Sequence, residues 1–166
     1  LLFVSIRSVD AQQPVFADPG LFTDAPKPTG VTTAYPENAA FLTINASVFS
    51  TANVHDPEIF TITNFPLGAE RVILHVEQFD VLSKDSRVVL GTKKGDVPTA
   101  IPAHILLRGS VEGKENSHVY IAVFDGYAIG YIDITVDRYL IQPVKMNTES
   151  PSVMIGDKEN DIARQI

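Results

Sequence analysis

The four histidines are the residues of this 166-residue sequence best suited to hold a metal ion or to move protons. Zinc peptidases place two histidines at positions i and i+4 of a helix, with a glutamate between them that activates water. Here His55, His75, His104 and His118 are all far apart in the sequence, and no H-E-x-x-H occurs. The chain also contains no cysteine, which excludes thiolate metal sites, disulfides and cysteine nucleophiles. The sequence therefore predicts no catalytic, cofactor-binding or metal-binding residue in this chain.

Ser117, His118 and Asp133 have the residue types of a hydrolase-like triad of serine, histidine and aspartate. Adjacent residues of a strand point to opposite faces of the sheet, so Ser117 and His118 are not expected to meet. His75 and Glu77 are two residues apart and read as the exposed face of a strand. These pairs predict surface positions and not an active site.

The glycines between residues 106 and 132 raise the question of a phosphate-binding loop. The segment from Gly109 to Lys114 is one residue shorter than a P-loop, and Glu115 stands where a serine or threonine would hold magnesium. Such a loop must also open a helix, whose N-terminal amides bind the phosphate, whereas strand-like residues follow here. The glycines therefore predict turns in a sheet.

Asp125-Gly126 lies between two apolar runs and predicts a two-residue hairpin turn of type I′. Counting outward from this turn places Gly130 opposite Ile121, where a strand glycine indicates a close backbone approach or a bulge. The same count predicts four further cross-strand pairs, Phe124 with Tyr127, Ala122 with Ile129, Tyr120 with Tyr131, and His118 with Asp133.

The elements that must carry these residues are short runs of alternating apolar and polar residues with turn signals between them, which predicts an all-β fold. We expect an antiparallel meander, arranged as a sandwich or as a partly open barrel, with extended N-terminal and C-terminal arms. No window predicts a capped helix. The expected strands cover residues 41–49, 59–63, 71–79, 86–90, 104–111, 117–124, 127–134 and 138–142.

Composition along the chain predicts four parts. Residues 1–11 are typical of the end of a signal peptide, with an apolar run followed by small residues. Residues 12–40 form a proline-rich arm, because prolines at this density prevent regular structure. Residues 41–144 form the β domain, and residues 145–166 form a polar linker toward a downstream domain. This organisation predicts a secreted, periplasmic or cell-surface location.

The net charge of −7 argues against nucleic acid and against anionic lipid as partners, since both need a basic surface. No apolar run approaches the length of roughly 18 residues that a membrane-spanning helix needs. We therefore expect a protein partner.

The ordered glycine and apolar positions resemble a known family. The pattern is Gly-x-Val-x-Gly, a serine that opens an alternating strand, a turn glycine, Gly-x-Ile and finally Tyr-x-Ile-x-Pro. It is similar to the propeptide-type domain that precedes the catalytic domain of reprolysin-like (adamalysin-type) zinc metalloproteases, in particular the exported bacterial type. The resemblance covers about residues 59 to 145. The matching positions are Gly109, Val111, Gly113, Ser117, Gly126, Gly130, Ile132, Tyr139, Ile141 and Pro143.

The resemblance implies a non-catalytic domain that assists the folding or the latency of a downstream catalytic domain. The parent would be a metalloendopeptidase, and zinc would belong to that downstream domain. Animal members often cap the zinc with a propeptide cysteine, and this chain has none. The alternative is an adhesion or carbohydrate-binding β-sandwich of an exported protein, with Tyr120, Tyr127 and Tyr131 as the candidate contacts.

Overall fold

A computed structural model describes residues 15–16, 20–28, 39–55, 59–82, 85–144 and 152–157. The fold is nearly all β, with antiparallel sheets that are not closed into a barrel, as the sequence predicts. In chain order the elements are β1 (Val15–Phe16), β2 (Phe22–Asp24), β3 (Ala40–Ile44), α1 (Ala46–His55), β4 (Ile59–Leu67), β5 (Glu70–Gln78), β6 (Val88–Thr92), β7 (Gly95–Thr99), β8 (His104–Val111), β9 (Ser117–Phe124), β10 (Tyr127–Ile134), β11 (Asp137–Pro143) and β12 (Ser152–Asp157).

Ten strands form one sheet in the order β1-β4-β5-β8-β9-β10-β11-β12-β3-β2, and β6 and β7 form a separate hairpin. All neighbours are antiparallel except β1, which runs parallel to β4. The strands β8 to β11 are consecutive in both sequence and space, which is the predicted meander.

The predicted hairpin register is confirmed. Tyr120 pairs with Tyr131, and Gly130 pairs with Ile121, in a ladder that runs from Tyr127–Phe124 to Ile134–Ser117. The predicted turn type is wrong, because of the two turn residues only Gly126 has a positive φ, of 84°. Asp125 is not among the described residues with positive φ, so the turn has the φ pattern of type II and not of type I′.

The core lies on one face of the sheet, where alternate residues of each strand are buried. In β9 these are Ser117, Val119, Ile121 and Val123. In β5 the buried residues are Val72, Leu74 and Val76, which alternate with His75 and Glu77. Burial of these side chains removes apolar surface from water and stabilises the sheet.

The helix α1 overturns the expected strand over residues 41–49. The strand β3 ends at Ile44, and Asn45 then caps the helix with its side-chain oxygen, which accepts hydrogen bonds from the amides of Ser47 at 3.2 Å and Val48 at 3.4 Å. Phe49 and Ala52 place the helix on the core. Small and apolar residues alternate here, so the sequence predicted a strand and not a capped helix.

Both expected arms contribute strands to the sheet. Leu21, in the predicted arm of residues 12–40, is 1% exposed, and β2 pairs with β3. The strand β12, in the predicted linker of residues 145–166, lies between β11 and β3. The pairing of β12 with β3 joins segments that are far apart in sequence, and composition does not reveal it. The expected signal-peptide remnant lies outside the described residues.

Side chains bring the β2 edge of the sheet against β4 and β5. The rings of Phe22 and Phe65 meet edge to face at 5.2 Å. Arg71 donates to both carboxylate oxygens of Asp24 at 2.9 and 2.7 Å, and this hydrogen bonding raises the pKa of Arg71. The sheet therefore curls around its core without a continuous backbone ladder.

Candidate functional site

The most unusual surface is the outer face of β8 to β11, the face turned away from the core. A solvated antiparallel face normally carries polar side chains, in alternation with the buried ones. Here most of the outward positions are apolar or aromatic. We call this set the outer face, and it consists of His104, Leu106, Arg108, Ser110, His118, Tyr120, Ala122, Phe124, Tyr127, Ile129, Tyr131, Asp133, Arg138, Leu140 and Gln142.

One cross-strand row runs through the middle of the outer face. The strand registers place Arg108 beside Tyr120 and Tyr120 beside Tyr131. The row continues to Glu77 on one side and to Leu140 on the other. A single line of neighbouring side chains therefore crosses five strands.

The two tyrosines of this row stack on each other. Their ring centroids are 5.7 Å apart, and the ring planes differ by 10°. Phe79 packs against Tyr120 at 5.4 Å, and the guanidinium of Arg138 lies 5.2 Å from the centre of the Tyr131 ring. Because β9 and β11 flank β10 on opposite sides, Tyr120 and Arg138 cover opposite faces of Tyr131. The edge and the hydroxyl group of Tyr131 are therefore what remain for a partner.

Two ion pairs border the stack. Arg108 Nε donates to Glu77 Oε1 at 2.6 Å, and Arg138 donates to both carboxylate oxygens of Asp133 at 2.6 and 2.9 Å. The hydrogen bonds from Arg138 hold the pKa of Asp133 below its ordinary value. Both arginines and Glu77 are about half exposed and Asp133 is less so, and surface pairs of this kind add little stability and mainly orient the side chains.

A shallow depression of about 410 Å³ lies among these side chains. Both signs of charge line it, and Tyr120 and Tyr131 form part of its wall. Tyrosine and arginine are enriched in protein interfaces, whereas glutamate and aspartate are depleted there. The lining residues are Glu77, Arg108, Gly109, His118, Val119, Tyr120, Tyr131 and Asp133.

A second aromatic stack lies at the hairpin end of the outer face. Phe124 and Tyr127 stack at 4.8 Å with 14° between their planes, and His104 lies 6.3 Å from Phe124. All three candidate tyrosines of the sequence analysis thus lie on one face, and each stacks on a cross-strand aromatic partner.

Among the family-pattern residues, Gly109 and Gly130 have the clearest structural reason. A Cβ atom on Gly109 would meet the backbone of His75 and come within 2.7 Å of Val76 Cα. A Cβ atom on Gly130 would meet the carbonyl oxygen of Tyr120 and come within 2.9 Å of Ile121 Cα. The neighbouring strand is too close at both positions for any side chain, so both positions require glycine.

Ser117 fastens the turn between β8 and β9. It is buried, and its hydroxyl accepts a hydrogen bond from the amide of Val111 at 2.9 Å and donates to the carbonyl of Lys114 at 2.7 Å. Gly113 supplies the positive φ of 68° that this turn requires. Serine and glycine at this spacing therefore define a turn.

The remaining pattern residues are spread through the fold. Val111, Ile132 and Ile141 are in the core, and Gly126 is at the hairpin tip. Tyr139 is half-buried, and burial raises the pKa of its phenol. Pro143 ends β11. The structure does not bring the ten pattern residues together into one site.

The histidines also lie apart. His118 is exposed while Ser117 is buried, so the two point to opposite sides as predicted. His75 Nε2 is 3.0 Å from Glu112 Oε2 on the surface. Over the described ranges, no group of three histidine, cysteine or carboxylate side chains is arranged to hold a metal ion. Within the same ranges, no helix is long and apolar enough to cross a membrane.

No protein family, curated protein or solved structure matches this chain. The sequence analysis missed the arginines of the outer face and Phe79. Extending the hairpin register by one strand, from Tyr120 to Arg108 on β8, would have found the central row.

Proposed function

We propose that this chain is a non-catalytic, propeptide-like domain of a secreted zinc metalloprotease, and that it binds the catalytic domain downstream through the outer face. The observation that carries the proposal is the central row from Glu77 to Leu140. This row contains stacked aromatic rings and balanced charges, on a sheet face where polar side chains are the norm. The resemblance in the glycine and apolar pattern supplies the identity of the partner.

The physical properties of the outer face support a protein partner. Tyr120 and Ile129 are 41% and 42% exposed, which leaves apolar surface that a contact would remove from water. Tyrosine and arginine are enriched in the contacts that contribute most to binding. Because Arg108 and Arg138 are already paired with carboxylates, their charges are balanced before a partner arrives.

Carbohydrate binding is the other class of function, and the ring geometry disfavours it. A sugar stacks on a free aromatic face. Tyr131 has Tyr120 on one face and Arg138 on the other, and Phe79 makes an edge contact with Tyr120. No open face of Tyr131 is therefore left for a sugar to stack on.

The experiment is to express the downstream domain with and without residues 12–166 and to measure folding yield and proteolytic activity. We expect the yield of folded catalytic domain to fall without the propeptide-like domain, or its activity to rise where the domain enforces latency. A weak contact is sufficient within one chain, because covalent linkage gives an effective concentration in the millimolar range. Equal yield and activity in both cases, with no complex when the two parts are mixed, would show that the proposal is wrong.

A further inference from the structure

The β6–β7 hairpin stands apart from the body of the protein. It forms its own two-stranded sheet, and every residue of both strands is exposed. Seven of the eleven exposed large hydrophobic side chains in the described part lie between residues 81 and 101. A two-stranded hairpin alone is at best marginally stable in water, whereas three or more strands with an apolar face are stable.

One apolar face of this hairpin consists of Val88, Leu90 and Val97. Val88 and Leu90 are two residues apart in β6, so their side chains point to the same side. Val97 is the cross-strand partner of Leu90 and lies on that side as well. Leu90 is 62% exposed.

The two edges of the hairpin differ in their hydrogen-bonding groups. Pro98, which pairs with Val89, has no backbone N–H, so a proline in the ladder indicates a pair that does not exchange hydrogen bonds. The N–H and C=O groups of Val89 consequently point away from β7, to the free edge of β6. The β7 edge lacks the donor of Pro98, and proline there opposes pairing with another strand.

We propose that a second copy of this chain pairs with the β6 edge, so that two hairpins form a four-stranded antiparallel sheet about a two-fold axis. The order of strands is β7-β6-β6-β7, and the axis passes through Val89. The two outer edges of this sheet are β7 strands, and the proline in each opposes further pairing. The association therefore stops at two copies. This self-association is separate from the proposed contact with a catalytic domain.

The apolar residues of β6 decide which residue lies on the axis. With Leu90 on the axis, Val88 would lie opposite Thr92 of the second copy, and the apolar side chains would be only partly matched. With Val89 on the axis, Val88 lies opposite Leu90 of the second copy. This contact occurs twice, so the two apolar faces merge into one.

The first test is sedimentation velocity of the full chain over a concentration series up to roughly 500 µM, a range suited to an interface at the small end of the size scale. We expect a concentration-dependent dimer. Leu90→Lys and Val89→Pro should each abolish it, the first by charging the apolar face and the second by removing the donor on the axis. Val136→Lys, at an exposed turn residue outside the hairpin, is the matched control and should dimerise normally.

The second test uses an introduced charge pair. Val88→Asp alone and Leu90→Lys alone should each weaken dimerisation at least tenfold, since each places two charges in the merged apolar face. The double exchange should recover dimerisation, because the register places position 88 opposite position 90 of the second copy. A chain that is monomeric at every concentration, a dimer that survives Leu90→Lys and Val89→Pro, or a double exchange that fails to recover would overturn the proposal. Melting temperatures establish that each variant keeps the fold.

Discussion

At the scale of single residues, the glycines matter mainly because they allow neighbouring backbones to approach closely. Gly130 lies so close to β9 that a Cβ atom would overlap the carbonyl of Tyr120. The hairpin register predicted this close approach, because a glycine weakens a strand interior and is typical of places where a neighbouring backbone needs the space. To predict the similar position of Gly109 against β5, one would need to know that β5 pairs with β8. No local sequence pattern provides that pairing.

Gly130→Ala is expected to lower the free energy of unfolding by about 2–4 kcal/mol, because the backbones of β9 and β10 must separate to admit the methyl group. Urea denaturation measures the loss. Gly91→Ala is the matched control in another strand, where the nearest atom to a new Cβ is 3.9 Å away. An equal effect of the two substitutions would contradict the close approach.

The Asp133 carboxylate is predicted to titrate below its ordinary pKa of 3.8, because Arg138 donates hydrogen bonds to it. The folded-state pKa is lowered, so the stabilising contribution is present above the ordinary pKa and is lost as the pH falls through the lower value. Carboxyl NMR titration should show the pKa of Asp133 rising in Arg138→Gln. Arg71→Gln, which removes the ion pair with Asp24, should leave the pKa of Asp133 unchanged.

At the scale of elements, alternation and turn chemistry predicted the central strands well. The bounds of β8, β9 and β10 agree with the expected runs, since each strand alternates buried and exposed residues between clear turns. The helix α1 was missed because only Phe49 and Ala52 of its described residues are buried, so it lacks a broad apolar stripe. The short strand β2 lies in a proline-rich segment, and β12 pairs on one side with β3, a distant partner that no local pattern identifies.

The N-cap of α1 gives a test at this scale. Asn45→Ala is expected to cost about 1 kcal/mol of stability, because the first amides of the helix lose the acceptor on the Asn45 side chain. Ser50→Ala, at an exposed position inside the same helix, should be neutral or slightly stabilising. Thermal melts of both variants measure the difference, and an unchanged Asn45→Ala would argue against the cap.

For the whole molecule, the sequence predicted an all-β fold and the paired tyrosines, but not the extent of the sheet or the composition of its outer face. That face depends on registers across five strands, from Glu77 to Leu140, and only one of these registers was fixed by a recognisable turn. The curling of the sheet, completed by the pairing of Arg71 with Asp24, depends likewise on contacts between distant parts of the chain.

The most direct test of the central claim is a calorimetric titration of this chain with the separately produced catalytic domain downstream. The account predicts measurable binding that Ile129→Lys weakens at least tenfold, about 1.4 kcal/mol, because a charge is placed in the exposed apolar part of the outer face. Val136→Lys, at an exposed turn residue, should bind like the unaltered chain. Equal affinities for the two variants, or no binding by the unaltered chain, would contradict the account.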